Sequence, residues 1–357
     1  MRVLYFGTYE RDYPRNAQVI SCLRGTGVEV VERHVGVWEG RRDSWRAGFG
    51  TAARLGLAEL ELLRRPTEPF DAVIVGYPGQ LDLPAARRVA SGRPVVFNPL
   101  VSLSDTLVAD RGRFEAGSIP ARVLEAIDRR ALRGADLVVA DTRENAAHLA
   151  ALAGLPADRF EVCFVGAEER LFEPGWAPVD PPTCLFVGKL IPLHGLETIL
   201  AAAQAEPRLR IRLVGSGQLE SLVQRRPENV EWIPWVDYER LPGELHRSAC
   251  ALGIFGISDK AARVIPNKAF QALACGTPLV TADTPAAREL LVHEESALLV
   301  PPGDPSELAG ALLRVVDDRQ LASRLSAGGR ATYEAHASEA VLGARWRELI
   351  ERVVARA

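Results

Sequence analysis

Short runs rich in Val, Leu, Ile and Phe, each closed by Gly, Asp, Asn or Pro, recur along the whole chain and constrain its fold more than any other feature. In the first half they are RVLYFG, VEVVERHV, DAVIVGY, PVVFNP, DLVVAD and FEVCFVG. The second half repeats the pattern with CLFVGK, IRLVG, VEWIPWV, CALGIFG, PLVTAD and ALLVPPG. Helix-compatible stretches separate them. A strand that must return parallel to its predecessor needs a crossover, and a helix is the usual one, so the alternation predicts parallel sheets with helices on both faces. Between the halves, EPGWAPVDPP (173–182) holds four prolines, one glycine and no periodicity, the composition of a linker. The expected organisation is therefore an α/β chain of two Rossmann-like domains, 1–172 and 183–334, joined by 173–182. A final helix follows over 335–357, where Val341, Leu342, Trp346, Leu349, Ile350 and Val353 share one face.

At 357 residues the chain exceeds the size at which one core stops growing, in keeping with two domains. A net charge of -3 gives no bulk attraction to nucleic acid. Five scattered cysteines without C-x-x-C spacing argue against a disulfide framework or a zinc ribbon, and so for a reducing cytoplasm. MRVLYFGTY reads as a first strand rather than a leader, and no run of about 18 apolar residues is present to span a bilayer.

Only three lysines stand among the 43 basic residues: Lys189, Lys260 and Lys268. In IPNKAFQALACGTP (265–278), Asn267 suits an N-cap, Gly276 suits the left-handed position after a helix, and Pro278 prevents continuation, so a two-turn helix is predicted. Its unpaired first-turn amides and positive dipole end favour an anion, and Lys268 adds a full charge there. A phosphate is the natural guest. Gln271, three residues on, offers an amide to ligand hydroxyls. In LFVGKLIPLHG (185–195), Gly188 ends a strand and places Lys189 and His194 at its carboxyl end, where open α/β sheets bind ligands. An isolated His is more often structural, and a lone lysine is as often merely solvated as functional. LVGSGQLESL (213–222) carries Gly215 in a G-x-G but Glu220 at the third glycine position, which makes a dinucleotide fingerprint incomplete. No D-x-D is present to clamp a diphosphate through a divalent ion, and no His/Cys cluster offers a metal site, so no metal and no tightly held cofactor are expected.

LFVGKL…HGLETIL, IRLVGSG, VEWIPWV, IPNKAFQALACGTPLV and TADTPAARELLVHEESALLVPPGDPSELAGALLRVVDD together resemble successive landmarks of the family-four retaining glycosyltransferases of GT-B architecture. The likeness covers the second domain strongly and the first more loosely, through RVLYFGTY, ADLVVADTRENAAHLA and FEVCFVGAEERLF. It implies two Rossmann-like domains with a cleft between them and a C-terminal helix able to return to the first. A nucleotide-diphosphate sugar would be held mainly by the second domain and an acceptor mainly by the first.

By the same resemblance Lys189 meets the diphosphate and His194 stands where a second lysine is usual. The turn from Trp232 to Val236, with Ile233, Pro234 and Trp235, holds the nucleobase. Arg263 and Gln271 occupy the positions of the family's two glutamates, which contact the sugar and the ribose. With both glutamates replaced, either Asp259 reads the sugar or the donor carries a group that wants a cation at Arg263, and Asn267 joins the donor set. Thr8, Tyr9 and Arg15 are the acceptor-side candidates. Gly7-Thr8-Tyr9 departs from the family's double glycine, and the family's histidine has no match near Phe97 to Leu103, which leaves Asp105 as the polar candidate nearest the chemistry. Lys189 and Lys268 would stabilise the departing diphosphate.

The expected function is transfer of a sugar from a nucleotide sugar to a small-molecule, glycan or lipid-linked acceptor. The rivals are a catalytically degenerate GT-B protein that only binds nucleotide or glycan, and a nicotinamide-dependent oxidoreductase, which Glu220 disfavours. Arg41, Arg42, Arg46, Arg54, Arg64 and Arg65, and a second set at Arg122, Arg129, Arg130 and Arg133, are weighed against peripheral membrane contact; a solvated face is favoured.

Overall fold

The computed structural model of the chain describes residues 1–11, 13–37, 49–64 and 68–357, and side chains of 49–53 lie outside that description. It forms two compact units: Met1–Val165 with Glu339–Ala357, and Gly166–Ser338.

The first unit alternates β1 (Arg2–Gly7), α1 (Pro14–Gly25), β2 (Glu29–His34), α2 (Phe49–Leu62), β3 (Ala72–Val75), α3 (Leu83–Ala90), β4 (Val95–Phe97), α4 (Ile119–Gly134), β5 (Leu137–Ala140), α5 (Arg143–Ala153) and β6 (Phe160–Val162). These strands pair in the order β2-β1-β3-β4-β5-β6, every pair parallel. The second unit runs β7 (Cys184–Val187), α6 (Leu196–Ala205), β8 (Ile211–Val214), α7 (Glu220–Val223), β9 (Val230–Ile233), α8 (Leu241–Arg247), β10 (Cys250–Leu252), α9 (Asp259–Arg263), α10 (Asn267–Cys275), β11 (Leu279–Ala282), β12 (Leu298–Val300), α11 (Pro305–Asp317) and α12 (Arg319–His336). Its order is β12-β11-β10-β7-β8-β9, again parallel throughout. Each apolar run of the sequence thus becomes one strand. Central strands such as AVIV of β3 and LVTA of β11 are buried at every position, because helices cover both faces.

The last helix, α13 (Glu339–Ala355), packs on α1 in the first unit. Its Leu342, Trp346, Leu349 and Ile350 enter the core formed by Val3, Val19 and Leu23.

Three boundaries differ from the sequence expectation. The second unit begins at Gly166, not after residue 182, because Phe172 is buried against Tyr238 and the Tyr333 hydroxyl donates to the Ala167 carbonyl. The proline-rich stretch is no free linker. The amides of Gly175, Ala177 and Val179 donate to the carbonyls of Cys275, His246 and Arg247, and the Trp176 indole donates to Ser248. Alternate residues supply the donors, so the prolines between them cost no bonds. The final helix starts at Glu339 rather than 335, since α12 continues through His336 before the chain turns.

Candidate functional site

In the second unit the strand order reverses between β7 and β10, and ligands of open α/β sheets bind outside the carboxyl ends of strands at such a point. Gly188 and Lys189 follow β7 there, and the chain after β10 meets the same place: the Phe255 amide donates to the His194 carbonyl. The neighbouring loops approach backbone to backbone. A Cβ on Gly215, at φ +141°, would overlap the Gly188 carbonyl oxygen, and the Gly188 amide donates to Val214. Glu220 explains the incomplete fingerprint. Its carboxylate accepts from the Gly217 amide at 2.9 Å, closing the turn from within.

Lys268 reaches this place from α10. Its Nζ lies 3.6 Å from the centroid of the Phe186 ring and 2.8 Å from where a Cβ on Gly188 would stand. The same point is 3.2 Å from Cε1 of His194, so Gly188, His194 and Lys268 converge. The ammonium is buried and has no hydrogen-bond partner among the described residues. Burial alone holds its pKa well below the ordinary lysine value. A buried cation source without an anion at a strand-end crevice is a site built for one. His194 is also buried; its Nδ1 donates to the Lys189 carbonyl at 2.5 Å and its ring meets Phe186 edge-on, which fixes the imidazole beside the lysine. Lys189 itself is exposed, with its side chain toward solvent.

The other donor-side candidates are placed as follows. Gln271 is buried on α10 and its amide donates to the Tyr238 hydroxyl at 3.4 Å. Asn267 is the first helical residue rather than the cap: Pro266 holds the cap position, with no side-chain bond, because its fixed φ suits that place. Gly276 does adopt the left-handed conformation, at φ 70°. The Ile233 carbonyl accepts from the Gly215 amide, while Pro234 and Trp235 are exposed. Asp259 stands exposed at the start of α9 and Arg263 is half-buried at its end.

The acceptor-side candidates prove to be internal. Arg15 is fully buried, its Nε donating to Asn98 Oδ1 and its Nη1 to the carbonyls of Cys163 and Phe164, with Trp346 5.6 Å from its guanidinium carbon. It joins α1, the ends of β4 and β6, and α13, while its Nη2 is buried with no hydrogen-bond partner among the described residues. Tyr9 is likewise buried, with its hydroxyl donating to Glu32 and its ring against Tyr5 and His34. Thr8 donates through both its amide and its hydroxyl to Asp82. What these positions share is the carboxyl edge of the sheet, not a side chain aimed outward. Asp105 is half-buried at the start of a π-helical turn (Asp105–Asp110), with its amide bonded to Ser102.

Phe186, Tyr238, Asp82 and Glu59 escaped the sequence reading. Phe186 looks like any core strand residue, and Asp82 in Asp-Leu-Pro reads as a helix cap, although its side chain makes no cap bond. Arg41, Arg42, Arg46 and Arg65 lie outside the described residues; Arg129 and Arg133 donate to Leu152 and Ala153 at the carboxyl end of α5, a structural use. Among the described residues no helix is long and apolar enough to cross a membrane, and no group of three His, Cys, Asp or Glu could hold a metal.

Residues 2–166 match the glycosyl transferase 4-like domain, and residues 181–318 match glycosyl transferases group 1. A D-inositol 3-phosphate glycosyltransferase of Thermomonospora curvata is 28% identical over 89% of this chain and 78% of its own length. One from Acidothermus cellulolyticus is 31% identical over 64% of this chain and 56% of its own. In fold, sucrose-phosphate synthase from Thermosynechococcus elongatus is similar with a TM-score of 0.77 at 18% identity, covering 100% of both chains. HepE of Anabaena, solved with UDP-glucose, is similar with a TM-score of 0.69 at 16% identity over 99% of this chain and 100% of its own. Two parallel six-stranded Rossmann-like sheets carrying these two matches place the chain in one family: it belongs to the group 1-like glycosyltransferases of GT-B architecture.

Proposed function

We propose that this glycosyltransferase takes its sugar from a nucleotide-diphosphate sugar, retains the anomeric configuration, and needs no divalent metal. The observation that carries the reading is the Lys268 amine, buried without a hydrogen-bond partner among the described residues at the carboxyl edge of the second unit's sheet. A diphosphate there would restore its charge, with Lys189 closing from the solvent side. As the glycosidic bond breaks, negative charge grows on the leaving phosphate, and fixed positive groups stabilise it in proportion. The attacking acceptor oxygen delivers its proton to a phosphate oxygen of the donor, so the products are the glycoside and the nucleoside diphosphate. No protein nucleophile enters. Gln271, at the amide–hydroxyl contact with Tyr238, is suited to a ribose diol.

HepE, solved with UDP-glucose, supports a uridine nucleotide as the probe to try first. The inositol-phosphate relatives support a small phosphorylated polyol as acceptor. The test is a transfer assay with UDP-glucose and D-inositol 3-phosphate after exhaustive EDTA treatment, with the product's anomeric proton read by NMR. A small H1–H2 coupling, that of the donor's own α-anomer, is expected at an undiminished rate. An inverted product, or activity lost on chelation and restored by magnesium or manganese, overturns the reading.

A further inference from the structure

The first unit contains a carboxylate whose surroundings no part of the donor site explains. Asp82 is fully buried in the loop that follows β3, one residue before α3. Strand order in this unit reverses between β1 and β3, so the loop after β1 and the loop after β3 flank the crevice where a ligand would meet the sheet. Asp82 bridges the two. The Thr8 amide donates to its Oδ2 at 2.7 Å, and the Thr8 hydroxyl lies 3.0 Å from Oδ1 and 3.3 Å from Oδ2. Gly7 has φ +131°, and a Cβ there would overlap Oδ2, so the glycine is what lets the carboxylate seat against the backbone.

A second carboxyl, Glu59 of α2, is the acidic neighbour of Asp82. Two carboxylates buried side by side do not both stay ionised. Geometry says which. Asp82 already accepts from an amide and a hydroxyl, whereas Oε1 of Glu59 is buried with no partner, a far smaller cost for a neutral carboxyl than for an anion. Glu59 is therefore the one that holds the proton. His34 on β2 is the other titratable neighbour of Asp82. A second tie works in parallel: Asn16 of α1 accepts from the Tyr77 amide at 2.9 Å and donates to the carbonyls of Glu10 and Tyr77, both at 2.8 Å.

We propose that Asp82, backed by Glu59, is the positioning residue of the loop after β1, holding Gly7 and Thr8 in the shape that receives the acceptor. It rests on the reading that the acceptor meets the first unit. The clasp depends on the Glu59 proton. Burial, with the neighbouring Asp82, pushes the Glu59 pKa up from 4.5 to about 9. Since the folded value is raised, the contribution is complete below the unfolded value and is lost as pH rises through about 9. Above that, two adjacent anions repel and the loop is released.

The experiment follows the Thr8 amide by NMR from pH 7 to 10.5 in wild type, Asp82→Asn and Glu59→Gln. In parallel it measures the KM for D-inositol 3-phosphate with UDP-glucose as donor. The wild-type Thr8 signal should lose its hydrogen-bonded shift as pH passes about 9, and the acceptor KM should rise about fivefold or more over the same interval, as expected for one lost charged hydrogen bond. Glu59→Gln, whose amide donates at any pH, should flatten both profiles, and Asp82→Asn should show the high-pH behaviour already at pH 7. A Thr8 amide unmoved in wild type, or moved equally in Glu59→Gln, overturns the clasp. If the amide moves as expected but the acceptor KM does not, the clasp exists but the loop is not the acceptor's, and the proposal fails. Absence of UDP release in wild type at every pH would instead count against the donor reading, with the amide still deciding the role of Asp82.

Discussion

Nζ of Lys268 faces the Phe186 ring at 3.6 Å and has no hydrogen-bond partner among the described residues, so it is poised for an anion that arrives from outside. Because burial holds its pKa well below the ordinary value, a bound diphosphate should draw a proton onto it. Calorimetry of UDP in buffers of different ionisation heat should show proton uptake in wild type and none in Lys268→Met. The variant should also lose about 1.5–3 kcal/mol of UDP affinity, the range for a charge-assisted hydrogen bond, while uridine binding stays level. Equal UDP affinity in the two proteins would end the assignment.

The same substitution should stabilise the unliganded protein. An unfolded lysine keeps its proton up to about 10.5, whereas folded Lys268 gives it up earlier, so folding loses stability as pH falls from 10.5 toward the lower folded value. Lys268→Met removes that cost. Its melting temperature should exceed the wild type's by a margin that grows from pH 10 to pH 7, at about 2–4 °C per kcal/mol for a unit of this size. A variant less stable than wild type at pH 7 would show that the ammonium contributes to folding rather than opposing it.

Gly215→Ala offers a test of the crevice itself. The new Cβ would overlap the Gly188 carbonyl, and φ +141° is foreign to alanine, so the loops after β7 and β8 must part. A cost of about 1–3 kcal/mol is expected from the strained backbone, with UDP binding lost before global folding is. Urea unfolding and UDP titration of the same sample check it; unchanged binding would show that the spacing of Gly188 is immaterial to the nucleotide.

Arg15→Ala should weaken the first unit without touching the donor site. It orphans Asn98 Oδ1 and the carbonyls of Cys163 and Phe164, and buried acceptors left without donors cost about 1–3 kcal/mol each. The loss should fall on α13, whose Trp346 stacks near the guanidinium. Hydrogen exchange should report it as lost protection in residues 339–355, with UDP affinity held. Retained protection there would contradict the bridging role.

The strands and the two-turn helix at Lys268 were legible because parallel strands buried on both faces are continuous apolar runs, and because Gly276 and Pro278 mark the helix end chemically. Lys268 drew notice through its rarity, and the structure shows it buried. What sequence could not supply was direction. Arg15 looks like a ligand-facing cation until its guanidinium is seen buried under Trp346, and Thr8 looks available until Asp82, 74 residues away, is found to hold it. Asp82 itself was hidden by a competing local signal, since Asp before Leu-Pro matches a helix cap equally well. The Asn267 cap failed for a related reason: two residues suited the same boundary, and the proline beside it took the position.

Because α13 supplies Trp346, Leu349 and Ile350 to a core otherwise made by the first 165 residues, the first unit cannot be completed when its own strands leave the ribosome. Residues 166–338 must be synthesised in between, roughly 10–30 s at ordinary elongation rates. During that interval the apolar face of α1 is open and the unit waits with its sheet complete but one covering helix missing. The second unit is contiguous in the chain and suffers no such delay, so the later-made half is the one free to fold first.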